Sequence, residues 1–194
     1  MSEPTATQLI AGPAKLYVAP FGSTPPSTSS PATWPVVWPA AWQNVGYTEK
    51  GVDLIMTPTI KSFTPDEEVF SVYDIFDGAK AEISATLWEA TLENYNIAIS
   101  AGIFSDDGKV RKVSVGGVVL RYVAVGFEGP APVADSMSSP ATSPDGRVVV
   151  IPKAIAASAI AINVTRKDIQ KFAVKWEARK IANQSLYDFC EFYH

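Results

Sequence analysis

The sequence predicts a mainly β fold, a β-sandwich or partly closed barrel flanked by one short α-helix, and three observations predict it. Several runs alternate apolar and polar residues with a period of two, the pattern of sheets packed on one side and wet on the other. Asp-Gly occurs at Asp77-Gly78, Asp107-Gly108 and Asp145-Gly146, each beside a run of β character; that pair suits the tight turns that join antiparallel strands. The connections are rich in proline, and clear helical spacing is confined to short stretches.

Residues 14–19 form a short β run ended by Pro20. Residues 23–41 are an insertion rich in Pro and Ser that carries Trp34 and Trp38, with Trp42 just beyond it. The spacing of four would line one helical face, but Pro35 and Pro39 push the residues before them toward extended geometry. The stretch therefore reads as an ordered, partly polyproline-like loop, its tryptophans pressed on its own domain or on a neighbouring subunit. Around Asp77-Gly78, residues 69–76 and 79–88 make a predicted hairpin. In its second strand Ala81, Ile83, Ala85 and Leu87 alternate with Lys80, Glu82, Ser84 and Thr86.

The period then changes. Thr91 suits an N-cap, Glu93 sits favourably in a first turn, Leu92, Tyr95 and Ile99 share a face, and Gly102 offers a stop. Further strands are predicted at residues 110–115, 118–127, 147–151 and 169–180. In the last, Phe172, Val174, Trp176 and Ala178 face one way and Lys171, Lys175, Glu177 and Arg179 the other. Residues 129–145, with Pro130, Pro132, Pro140 and Pro144, read as a mobile loop. Residues 185–194 are an aromatic tail in which Ser185 followed by Asp188 resembles a helix start. Such a tail must be covered, by its own sheet or by an adjacent subunit. Residues 1–194 together read as one domain.

Composition narrows the function. The chain has 194 residues, 47% apolar and 19% charged, which is globular rather than disordered. A net charge of −4 repels a phosphate backbone, so nucleic acid touching this protein is expected to pass without being held. Cys190 is the sole cysteine, which rules out an intramolecular disulfide and fits a reducing compartment; it reads as a small apolar residue among aromatics. Met1-Ser2-Glu3-Pro4 lacks the basic and apolar parts of a signal peptide, and no apolar run reaches the ~20 residues that span a bilayer. The expectation is a soluble protein made in a cytoplasm.

No residue pattern points to catalysis. The one histidine, His194, is terminal, which disfavours a Ser-His-Asp or Cys-His site and leaves zinc too few ligands. There is no Gly-rich phosphate loop; Gly116-Gly117 reads as a turn. Asp66, Glu67 and Glu68 read as a solvated acidic face rather than a calcium site. No enzyme activity, cofactor or metal is expected.

The charge map says more. Residues 64–77 hold five acids (Asp66, Glu67, Glu68, Asp74, Asp77) and no base. Residues 166–180 hold six bases (Arg166, Lys167, Lys171, Lys175, Arg179, Lys180) against Asp168 and Glu177. Either opposite charges simply keep one surface mixed, or an acidic loop on one copy meets a basic strand on the next. The second reading makes Asp66, Glu67, Glu68, Asp74, Lys171, Lys175 and Arg179 candidates for a head-to-tail interface.

Three segments carry a resemblance: Val45-Gly46-Tyr47-Thr48 with Gly51-Val52; the strand at 79–88 followed by Ala90-Thr91-Leu92-Glu93-Asn94; and residues 148–153 with a late strand. Their order resembles the major tail tube proteins of long non-contractile-tailed bacteriophages, over about residues 12–180. The resemblance implies a β-sandwich-like structural subunit that forms stacked hexameric rings around a channel for DNA ejection in the virion tail, assembled in the host cytoplasm. It implies homo-oligomeric partners, the other tail proteins (tape measure, terminator, distal tail) and no membrane. By position, residues 54–73 would be a long segment reaching the next ring. A DNA conduit should avoid a basic wall, so Lys80, Glu82, Ser84 and Thr86 are expected to face the lumen and the strand at 169–180 to lie at a subunit contact or outside. The alternatives are a tail-completion or secretion-tube protein of the same fold, and a virion carbohydrate- or receptor-binding module favoured by Trp34, Trp38 and Trp42.

Overall fold

The computed structural model describes residues 14–26, 36–66, 69–100, 102–108, 110–116, 120–130, 146–158, 161, 170–181 and 191–193. Among these, strands dominate. They are β1 (Lys15–Pro20), β2 (Gln43–Asn44), β3 (Thr48–Phe63), β4 (Tyr73–Leu87), β5 (Gly102–Asp106), β6 (Arg111–Val115), β7 (Val123–Pro130), β8 (Gly146–Ala156), β9 (Phe172–Ala178) and β10 (Glu191–Tyr193), with one helix, α1 (Leu92–Ala98).

The main sheet has the order β2-β1-β7-β8-β9-β4-β3, with β10 added to β8, and every pairing is antiparallel. β5 and β6 form a separate hairpin. The expected mainly β, sandwich-like fold is observed; the sheets do not close into a barrel.

One face of the main sheet is a core of Leu16, Val18, Val45, Ile83, Leu87, Val125, Ile151, Phe172, Val174 and Trp176, all buried. Burying each such side chain contributes roughly 1.5–3 kcal/mol before conformational entropy is counted. The alternation read in β4 and β9 is what builds it: Ala81, Ile83, Ala85 and Leu87 lie beside Phe172, Val174 and Trp176 on one face of the two paired strands. A second buried cluster, Ala19, Trp42, Ala124, Val148 and Val150, lies on the opposite face of β1, β7 and β8. Val36 and Trp38 pack against it, so the Pro- and Trp-bearing segment closes that half of the sheet from outside.

Several expectations are corrected. Asp77-Gly78 is not a turn: β4 runs through it, and the hairpin is β3–β4, closed near its tip by Val72 N donating to Phe63 O at 3.0 Å. The register passes from Thr59↔Gly78 to Ile60↔Phe76, which leaves Asp77 as an extra residue. Gly78 takes the bulge's φ of 152°, a conformation a side chain would strain. Residues 54–73, expected as a reaching loop or hairpin, thus belong to a hairpin, with residues 54–63 paired as strand.

The helix does start as expected, with Thr91 Oγ1 accepting from Asn94 N at 3.2 Å. Its fully buried residues are Asn94 and Ala98, one turn apart; of the expected face of Leu92, Tyr95 and Ile99, Tyr95 packs against the core and stacks on Phe172 at 4.8 Å. It ends at Ala98 with Ile99 extended, and Gly102 opens β5 instead of stopping the helix.

Asp107-Gly108 does form a turn, with Gly108 at φ 78° and the Asp107 carboxylate accepting from Val110 N at 2.6 Å. Strand boundaries also move. The run at 118–127 becomes β7, 147–151 lengthens to β8, and 169–180 contracts to β9. Pro152 is accommodated in β8 because the register there steps from Val125↔Ile151 to Val123↔Ala154, a bulge that removes the demand for its missing N–H. Of the aromatic tail, residues 191–193 are strand β10 paired with Val148–Val150, not helix. Residues 182–190, 131–145, Trp34, Glu67, Glu68, Arg166, Lys167, Asp168 and His194 lie outside the described residues.

Candidate functional site

The β3–β4 hairpin leaves the sheet as an arm. β9 pairs with β4 only over Glu82–Leu87, so among the described residues Tyr73–Ala81 pair with β3 alone. Every residue from Ile55 to Phe63 and from Tyr73 to Asp77 is exposed, on both faces of the ribbon. At ~3.3 Å per residue, residues 55–63 extend roughly 30 Å. The arm is apolar: Ile55, Met56, Ile60, Phe63, Val69, Phe70, Val72, Tyr73, Ile75 and Phe76 all lie open to solvent, with Val69 88% and Phe70 82% exposed. Two-stranded ribbons are marginal alone, and a long open edge invites pairing. Pro58 and Lys61 on β3 temper that edge.

Asp66 and Asp74 are on this arm and exposed. Asp74 accepts from Ser71 Oγ at 2.7 Å. The hydroxyls of Ser62 and then Ser71 hold its carboxyl below the usual aspartate value.

The root of the arm is fixed by the Val45–Val52 motif. Val45 is buried and its N–H donates to Leu16 O at 3.1 Å, tying β1 to the start of β3. Gly46, at φ 87°, donates its N–H to Asn44 Oδ1 at 2.8 Å, and Tyr47 O accepts from Trp88 N at 3.0 Å. Asn94 then clamps the junction, its Nδ2 donating to Val45 O at 3.0 Å and to Glu89 O at 2.8 Å. Lys50 and Gly51, at φ 63° and 84°, form a second bulge between Glu49↔Thr86 and Val52↔Ala85. Asn94 is buried in a short helix where sequence alone marks only a cap; a polar residue one turn from Ala98 is the signal that it is a structural clamp.

The polar rows of β4 and β9 were expected to have different destinations. The register Glu82↔Glu177 and Ser84↔Lys175 puts them on one continuous face. Lys80 pairs with Glu82 and, at 3.3 Å, with Glu177; Lys175 reaches Glu82 at 2.7 Å, Arg179 reaches Glu177 at 2.9 Å, and Lys171 reaches Glu49 at 2.9 Å. Lys175, then Lys80, pulls the Glu82 carboxyl below the ordinary glutamate value, and Arg179 does the same chiefly for Glu177. Glu82 and Glu177 in turn raise Lys80. Ser84 and Thr86 continue the row, half-buried. Four cations and three carboxylates make this face almost neutral, each base on it held by an acid.

A buried carboxylate was missed in the sequence. Glu128 on β7 is 0% exposed and accepts from Tyr17 Oη at 3.2 Å, Val36 N at 2.9 Å and Trp38 Nε1 at 3.2 Å, with Lys15 Nζ 3.7 Å away. Burial, then Glu128 itself, raises the Tyr17 phenol above its usual range. Trp38 stacks on Tyr17 at 4.3 Å and leans on Trp42 at 4.8 Å, and Trp42 Nε1 donates to Thr24 O at 2.8 Å. A Cβ on Gly126 would stand 2.7 Å from the Trp38 ring. The signal available was an isolated Glu on an apolar strand sharing parity with Ala124 and Gly126, the face that the tryptophans cover. No helix among the described residues is long and apolar enough to cross a membrane.

Set against known proteins, residues 1–66 match the family model described as phage tail tube protein. That stretch contains the Val45–Val52 motif and β3 to its tip; the segments at 79–94 and 148–153 fall outside it. No curated protein matches the chain. The match over residues 1–66 supports a place for this chain among the structural proteins of phage tail tubes.

Proposed function

We propose that this chain is the repeating subunit of a phage tail tube, forming hexameric rings that stack around a channel through which DNA is ejected. The observation that carries the reading is the β3–β4 arm: an ordered ribbon with apolar side chains open on both faces is suited to a partner, not to solvent. Arm and body are different surfaces, so a copy-to-copy contact through the arm is heterologous and builds a ring or a stack. Asp66, Glu67, Glu68 and Asp74 supply acidic charge to that contact.

The neutral face of β4 and β9 supports the rest. Lys80, Glu82, Ser84 and Thr86 face the lumen in this reading, and Lys171, Lys175 and Arg179 join them there. Their charges are already compensated by Glu49, Glu82 and Glu177. A wall whose bases are nearly all compensated releases few counterions and so gives DNA little to bind. The tape measure, terminator and distal tail proteins are the further partners this role requires. A sugar-binding module finds less support, because Trp38 and Trp42 are spent in packing on the chain's own sheet.

Negative-stain microscopy of the purified full chain tests the reading. Tubes with a continuous bore are expected; isolated rings alone would indicate a tail-completion protein, and monomers at every concentration would contradict it. Changing Asp66, Glu67 and Glu68 together to Lys should leave melting intact and block tubes.

A further inference from the structure

The body of the subunit carries a groove of about 650 Å³ between the end of β1, the Trp-bearing segment and α1. Pro20, Phe21, Ala41, Ile97, Arg121 and Tyr122 are among its lining residues. Its apolar wall is part open: Phe21 and Tyr122 meet edge to face at 6.4 Å and both remain accessible. The volume lies within the ~300–1,000 Å³ typical of built binding sites.

Two cations mark the groove. Arg121 lines it, its Nη1 donating to Asn96 Oδ1 at 2.7 Å, and Lys153 Nζ sits over the Tyr122 ring at 4.3 Å and the Phe21 ring at 5.4 Å. Among the described residues, no carboxylate lines the groove. The described lining is therefore apolar and aromatic, with the cation Arg121 in it and Lys153 beside it.

The tip of the arm has the opposite character in charge and the same in polarity. Phe63, Val69, Phe70, Val72 and Tyr73 are exposed there, and residues 64–77 carry five acids and no base. No described arm residue lines the groove of its own chain. We propose that the groove beside Phe21, Arg121 and Tyr122 receives the arm tip of a second copy, with Phe70 and its apolar neighbours entering and Asp66 meeting Arg121 and Lys153. The contact deepens the tube reading and rests on it for its repetition around rings and along the stack. The attraction between acidic tip and basic groove sets which end of one copy meets the next.

A mixed disulfide experiment tests this on the full chain with Cys190→Ser as background. One preparation carries Val69→Cys on the arm and another Ala41→Cys in the groove, and the two are mixed under mild oxidation. Mixed dimers in excess over both homodimers are expected. Arg121→Glu in the groove chain should cut their yield about tenfold, and Asp66→Arg in the arm chain should restore it. Tubes that form without the mixed crosslink would overturn the groove contact and leave the tube reading standing. The mixed crosslink in a preparation that never makes rings or tubes would keep the contact and refute the tube. Residues 1–13 occupying the groove of their own chain, seen as unimolecular crosslinks from a cysteine placed there to Ala41→Cys, would overturn it as well.

Discussion

Two β ribbons of this chain are built alike and stabilised differently. β7 and β8 form an antiparallel pair with β1 alongside, and both faces are covered, one by the main core and one by the segment that holds Trp38 and Trp42. β3 and β4 form a longer pair, yet beyond Ala81 neither face is covered. Both ribbons are rich in apolar residues, so the difference is not one of hydrophobicity. It is that the first ribbon finds its covering within the chain, and the second leaves its covering to another molecule. Fold and assembly are thereby separated onto different residues of one sheet.

That separation can be broken most forcefully at Glu128. Glu128→Ala leaves the Tyr17 hydroxyl, the Val36 N–H and the Trp38 indole N–H without their acceptor in a dry site. The expected loss of stability is on the order of 3 kcal/mol, read by urea unfolding followed through tryptophan fluorescence. Gly126→Ala acts on the same cover by driving a methyl into the Trp38 ring, with Val149 O only 3.0 Å behind it. About 1–3 kcal/mol is expected there, and a double substitution with Trp38→Ala should recover part of it, since the two sites share one contact.

The arm should behave in the opposite way. Replacing Val69, Phe70 and Val72 together with Ser is expected to change monomer stability by less than about 0.5 kcal/mol while abolishing assembly seen by sedimentation. A large loss of monomer stability would mean that the arm is covered at home after all.

The smallest effect is the response of the β4–β9 face to pH. Glu82 and Glu177 are held below the ordinary glutamate value of 4.5, so their contribution is fully present above that value and fades as pH falls through their lowered folded values. Lys80 is held above its ordinary 10.5, so its contribution is present below that value and fades as pH rises through its raised one. All three groups lie at the surface, so the slopes are shallow and weaken in salt. Glu82→Gln should lower the neutral plateau of a melting-temperature profile slightly and flatten its acid side, because the contribution it removes is the one present above the glutamate range.

How much of this was legible in the sequence follows from the same contrast. β4 beyond Ala81 and β9 are covered on one face only, so polarity alternates cleanly, and Ile83, Leu87, Val174 and Trp176 were assigned to the core by period alone. The N-cap at Thr91 and the turn at Asp107-Gly108 were legible because their chemistry is local. The arm was not, because an apolar ribbon open on both faces has the same period as a buried one, and Asp77-Gly78 looks like a turn unless the bulge opposite Thr59 and Ile60 is known. Nor does a sequence tell that Lys171, Lys175 and Arg179 are neutralised; that depends on the register bringing Glu82 and Glu177 beside them. Glu128 was hidden for the same reason, its partners lying about ninety to more than a hundred residues away in the chain.

Hydrogen exchange, compared between the isolated chain and its assembled form, tests the central claim most directly. In the monomer the amides of residues 55–63 and 73–80 should exchange far faster than those of residues 148–151, because only the latter lie in a ribbon covered on both faces. On assembly the arm amides should become protected to a similar degree while the β7–β8 amides change little. Arm amides already protected in the monomer, or still exchanging freely in the assembly, would contradict the account.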